Sequence, residues 1–151
     1  MQGMSAAERS GPIEVAIVED NARLRDGLCA LLAREPDFRV SGAFGSMEEA
    51  LHTLAAHPPA LLLADIGLPG MDGIEGVRRL CARHPDLLAL MLTVHADDER
   101  VFEAVCAGAS GYLLKDTPPA RLVESLRELA AGGAPMTPEI ARKVVRMFQS
   151  V

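Results

Sequence analysis

Four short apolar runs, each ending abruptly in a polar residue, constrain this chain more than any other feature. Val15-Ala16-Ile17-Val18 precedes Glu19-Asp20, Leu61-Leu62-Leu63-Ala64 precedes Asp65, Leu88-Ala89-Leu90-Met91-Leu92 precedes Thr93, and Tyr112-Leu113-Leu114 precedes Lys115. Runs of this length without polar alternation read as strands buried on both faces, the pattern of a parallel sheet covered by helices. In such a sheet the carboxyl ends of the strands share one edge, so the terminal polar residues converge there.

Between the runs lie segments of helical period, and five βα units follow. The first strand, 13–18, leads to a helix carrying Ala22, Leu24, Leu28, Leu31 and Leu32 that stops at Pro36. A second strand runs from Phe38 to Ala43, and Ser46 caps a helix through Ala50, Leu51 and Leu54 that Pro58-Pro59 ends. The turn at 67–73 opens a helix with Ile74, Val77, Leu80 and Cys81 on one face, and His84-Pro85-Asp86 returns the chain to the fourth strand. A fourth helix, 97–107, stops at Gly108; a strand at 110–114 and a helix with Leu122, Val123, Leu126 and Leu129 complete the set. Right-handed crossovers then predict a flavodoxin-like (βα)5 doubly wound parallel sheet, strand order 2-1-3-4-5. An extra C-terminal helix follows, with Thr137 as N-cap, Pro138 at its first position, and an apolar stripe of Ile140, Val144, Phe148 and Val151. The expected organisation is a loose leader at 1–12, a domain at 13–131, and a linker with helix at 132–151.

Bulk properties narrow the function. A chain of 151 residues with 49% apolar content is one ordinary domain. A net charge of −6 is wrong for holding nucleic acid directly. Three cysteines, Cys29, Cys81 and Cys106, are odd in number, lack metal-ligand spacing and read as small core residues of a reducing compartment. Without an apolar run of about 20 residues or a secretory core, no membrane association is expected and the cytoplasm is the default.

The converging residues suit one chemistry. A carboxylate can attack a phosphoryl group only if the mutual repulsion of their charges is neutralised, and a hard cation such as Mg²⁺, or Mn²⁺, does this with oxygen ligands. Asp20 and Asp65 are the candidate direct ligands, Glu19 a partner through water, and the backbone carbonyl of Gly67 a fourth oxygen. Lys115 supplies a fixed positive charge to a phosphoryl oxygen and Thr93 a hydroxyl donor. Asp65, alone at its strand end beside a glycine-rich turn, is the candidate nucleophile. Singly each is an ordinary strand-end residue, and His84 and His95 read as loop residues without metal-ligand spacing. Their joint order carries the signal.

The same residues resemble a known family. Val-Glu-Asp at 18–20, Asp-Ile-Gly-Leu-Pro-Gly-Met-Asp-Gly at 65–73, Leu-Thr at 92–93 and Gly-Tyr-Leu-Leu-Lys-Asp at 111–116 are similar to the motifs of receiver (CheY-like) domains of bacterial two-component response regulators, over residues 13–131. The last motif and the stretch from Leu122 to Thr137 resemble the LuxR/NarL type, whose members usually carry a C-terminal helix-turn-helix domain that this chain does not contain. The resemblance implies that Asp65 accepts a phosphoryl group from a histidine kinase with Mg²⁺ held by Glu19, Asp20 and Asp65. It also implies that Thr93 is drawn toward the group, that Tyr112 changes ring position as a switch, and that phosphorylation favours a homodimer and DNA binding through the output domain. On that reading the chain is a signalling switch and not an enzyme, catalysing only its own phosphorylation and dephosphorylation. Gly67 and His95, each two residues past a site residue, are candidates for setting the lifetime of the phosphorylated state. Val94 predicts a narrower approach to Asp65. Asp116 stands where many members have a proline after a cis bond, a geometry costing about 3 kcal/mol before other residues and therefore not expected here. The alternatives are a single-domain regulator, a degenerate receiver acting by binding alone, and an aspartyl phosphatase, which would want a second acid where Gly67 stands.

Overall fold

The computed structural model describes residues 11–149. Five parallel strands, β1 (Ile13–Val18), β2 (Phe38–Phe44), β3 (Leu61–Ala64), β4 (Leu88–Thr93) and β5 (Gly111–Leu114), form one sheet in the order β2-β1-β3-β4-β5. They alternate with α1 (Ala22–Ala33), α2 (Met47–Leu54), α3 (Gly73–Arg83), α4 (Asp98–Ala107) and α5 (Pro119–Ala130), and α6 (Pro138–Gln149) follows. The flavodoxin-like architecture and strand order expected from the sequence are those observed. The leader expected at 1–12 lies, as far as residue 10, outside the described residues.

Alternation along each strand divides the core in two. Ala16, Val18, Leu62, Ala64, Ala89, Met91 and Tyr112 face α2, α3 and α4, while Val15, Ile17, Leu61, Leu63, Leu90, Leu92 and Leu113 face α1 and α5. Burial on both faces is why the strands carry no polar alternation. The helices start where the sequence supplies acceptors: Asn21, Ser46, Asp72 and Asp97 each accept a backbone N–H from the first turn, and Gly108, at φ 111°, ends α4 in the left-handed region.

Register places the strand ends. Val18 lies opposite Ala64 and Thr93 opposite Leu114, so residues 19, 65, 93 and 115 emerge at one edge of the sheet. The backbone continues the ladder there, with the Asp65 amide on the Val18 carbonyl at 3.1 Å and the Lys115 amide on the Thr93 carbonyl at 2.9 Å. No cis peptide occurs among the described residues.

Three expectations change. The α6 stripe is Ile140, Val144 and Met147, which pack on the α2–α4 side of the core, whereas Phe148 is 74% exposed. A helix advances 100° per residue, so Met147, seven past Ile140, returns to its face and Phe148 overshoots it; Val151 lies outside the described residues. Thr137 precedes α6 as expected, and its carbonyl accepts from Ala141, but its hydroxyl accepts the Leu114 amide at 3.1 Å, serving the edge of β5. Cys29 and Cys81 are partly buried, but Cys106 is exposed, because α4 turns Val101, Ala104 and Ala107 inward.

Candidate phosphoryl-accepting site

The β1–α1 turn carries the acids. Glu19 is buried and both its carboxylate oxygens are engaged: Oε1 pairs with Lys115 Nζ at 2.7 Å and Oε2 accepts the Asn21 amide at 3.0 Å. Asp20 is exposed. Arg25, one turn into α1, donates to the Glu19 carbonyl at 2.7 Å and so fixes the turn from the helix side. Nothing in its spacing marked Arg25, since it binds a backbone atom.

Asp65, one residue beyond β3, is buried and receives Lys115 Nζ on Oδ2 at 2.7 Å and, on Oδ1, the Gly67 amide at 3.4 Å. The turn behind it is held closely. A Cβ at Gly73 would collide with the Asp65 carbonyl oxygen, and Gly70 sits at φ 75° beside Glu48, whose carboxylate accepts the Met71 amide at 3.1 Å. Glu48 was not evident from the sequence either, because its contact crosses 23 positions.

Lys115 bridges the two buried carboxylates. Desolvation works against its ammonium, but the hydrogen bonds to Asp65 and Glu19 outweigh it, and its pKa lies above the ordinary lysine value. One oxygen from each of Glu19, Asp20 and Asp65 lies within 4.8 Å of the others. Two oxygens bound directly to one Mg²⁺ are at most about 4 Å apart, so this all-oxygen cluster fits the cation with small closure or an intervening water. Gly67 is exposed at its rim.

Thr93 is fully buried, and its Oγ1 accepts the His95 amide at 3.3 Å. Tyr112 is buried too, its hydroxyl donating to the His95 carbonyl at 2.6 Å. Burial first, then the charge of Asp97, pushes the phenol well above its ordinary pKa, so it stays a donor. The β4–α4 loop differs from expectation in one respect. Val94 is 69% exposed, its bulk out in solvent, while the His95 ring reaches across to Gly67, where Nε2 would lie 3.0 Å from a Cβ. The two lifetime candidates therefore face each other. His84, expected in an open loop, is partly buried, and its Nε2 has no partner among the described residues.

Residues 15–127 match the response regulator receiver domain family. The chain belongs to that family. Relatives of this receiver include the transcriptional regulatory protein DegU of Brevibacillus brevis, 32% identical over 97% of this chain and 62% of the relative. Another is the DNA-binding transcriptional activator DevR/DosR of Mycobacterium tuberculosis, 38% identical over 80% of this chain and 55% of the relative. The receiver thus spans 62% and 55% of the length of these curated relatives. Among solved structures, a LuxR-family two-component response regulator from Aurantimonas sp. SI85-9A1 superposes with a TM-score of 0.83 at 29% identity, covering 91% of this chain and 99% of that one. The receiver is of the LuxR/NarL type.

Proposed function

We propose that this receiver accepts a phosphoryl group on Asp65 in a Mg²⁺-dependent reaction and switches conformation in response. One observation carries the reading: Lys115 bridges Asp65 and Glu19 within an acidic cluster at the sheet edge, with Thr93 on the next strand. Mg²⁺, held by Asp20, Asp65, the Gly67 carbonyl and Glu19 through water, would supply the charge that lets a carboxylate approach a phosphoryl group. An Asp65 carboxylate oxygen attacks phosphorus, the bond from phosphorus to the donor atom breaks, and the donor leaves with that electron pair. With a histidine kinase as donor the leaving group is an imidazole, and the product is an acyl phosphate. Lys115 turns from Asp65 toward a phosphoryl oxygen and Thr93 donates its hydroxyl to another.

On this reading 13–131 is the receiver and the segment from 132 a linker leading into α6, with 150 and 151 outside the described residues. Two relatives are named as transcriptional regulators or activators, which supports a role in which phosphorylation controls a DNA-binding output domain. Cation dependence and the acceptor are tested together by intact mass after incubation with acetyl phosphate. A single phosphoryl adduct is expected that requires Mg²⁺ and disappears in Asp65→Asn. An adduct that survives the substitution would remove Asp65 from the mechanism, and no adduct on either protein would favour a binding-only role.

A further inference from the structure

The start of α2 touches both turns that carry the acidic cluster. On one side the Glu19 amide donates to the Phe44 carbonyl at 3.0 Å, and the Gly45 amide donates to Glu49 Oε2 at 3.3 Å. Arg25, which holds the Glu19 carbonyl, lies against Gly45, where its Nη1 would stand 3.2 Å from a Cβ. On the other side Glu48 Oε2 accepts the Met71 amide at 3.1 Å, and a Cβ at Gly70 would collide with the same carboxylate. Residues 44–49 thus reach from the turn of Glu19 and Asp20 to the turn of Asp65 and Gly67.

Glu48 is exposed, but its backbone is firmly placed. Ser46 Oγ accepts the Glu49 amide at 3.2 Å and so caps the helix. Met47 is fully buried against α3, in a notch that a glycine provides, since a Cβ at Gly76 would overlap its side chain. The β3–α3 turn is anchored differently. At its base the amides of Leu68 and Gly73 both donate to the Ile66 carbonyl at 2.9 Å. Its tip, 69–71, holds Gly70 at φ 75° and, among the described residues, is hydrogen-bonded to another element only through Met71 and Glu48.

We infer that Glu48 is a positioning residue for the cation site: by holding the Met71 amide it sets the path of the β3–α3 turn, and with it the Gly67 carbonyl. The inference rests on the proposed Mg²⁺ site. The three carboxylates already offer oxygens within 4.8 Å of one another, so what remains is to order the turn that adds the fourth oxygen. A tie to a fixed helix lowers that ordering cost before the ion arrives. Glu48 acts here as an acceptor for one N–H and not through its charge. A neutral side chain of the same length with a carbonyl oxygen therefore serves in its place, and a methyl group does not.

Mg²⁺ titration by isothermal calorimetry on the native chain, Glu48→Ala and Glu48→Gln tests the role, with amide hydrogen exchange of each in chelator. Glu48→Ala should raise the Mg²⁺ dissociation constant about tenfold, the low end for residues that orient a metal ligand. Glu48→Gln should stay within about threefold of native, because its amide oxygen accepts the same N–H. Exchange at 67–71 should accelerate in Glu48→Ala and not in Glu48→Gln. Native affinity in Glu48→Ala would overturn the positioning role, and equal losses in the two variants would replace it with a charge effect. A loss accompanied by faster exchange across the whole chain would overturn it as damage to the fold. Absence of Mg²⁺ binding to the native chain would instead overturn the cation site itself, and this inference with it.

Discussion

Asp65 and Lys115 lie fifty positions apart yet share one hydrogen bond, and this was legible because each ends an apolar run in a fold whose strand order brings the ends together. What stayed hidden at this scale were contacts through backbone atoms and long crossings, such as Arg25 on the Glu19 carbonyl and Glu48 on the Met71 amide. No residue pattern encodes the position of a main-chain acceptor. The His95 ring over Gly67 likewise depended on a loop conformation. Because that ring borders the acceptor turn, His95→Ala should change the decay of the Asp65 phosphoryl adduct severalfold, toward faster hydrolysis as water gains access; an unchanged decay time, followed by intact mass, would count against a gating role. Away from the site, Arg127 pairs with Asp37 at 2.8 Å and with Glu35 at 2.9 Å, and stacks over Phe38. The Arg127 hydrogen bond, outweighing desolvation, holds the Asp37 carboxyl below its ordinary 3.8. A depressed carboxyl stabilises the fold above its unfolded pKa and loses that contribution as pH falls through the folded value. Asp37→Asn should therefore cost up to about 1 kcal/mol near neutrality, and its denaturation curve should merge with that of the native chain in strong acid.

At the scale of elements the strands and first five helices were readable to within about a residue or two at each end, as expected for frayed boundaries, because apolar period and cap residues agree with one another. The tail was read less well. Its four apolar positions were assigned by spacing, but which of them faces inward depends on how the 135–137 crossing sets the helix rotation, and that crossing is tertiary. The correction has a direct check. Ile140→Ala should lower stability by about 2–4 kcal/mol, whereas Phe148→Ala should stay within about 0.5 kcal/mol, both by urea titration. Equal costs would mean that the helix is rotated from the position described.

For the molecule as a whole, the proposed cation site predicts that stability depends on cation concentration. Among the described residues no helix is long and apolar enough to cross a membrane, and the fold must hold three neighbouring carboxylates with Lys115 neutralising only part of their charge. On the proposed reading Mg²⁺ would bind the folded cluster and not the unfolded chain, and so should stabilise by mass action, about 2.7 kcal/mol at a hundredfold excess over its dissociation constant. A rise in melting temperature with Mg²⁺ against chelator at matched ionic strength is expected, and Asp65→Asn should reduce it; identical melting in both would argue that the cluster does not hold the ion. The covered flank of β5 bears on a different hazard. A sheet with two bare edges can add copies at both and grow without limit, but here residues 135–137 close one side and, among the described residues, only the β2 edge is left without a neighbouring strand. That rim is itself distorted by a bulge in its pairing with β1 beside Val15. Two copies pairing through β2 would each spend that edge on the other, so edge-to-edge pairing of the described residues closes on itself as a pair and does not extend into a fibre.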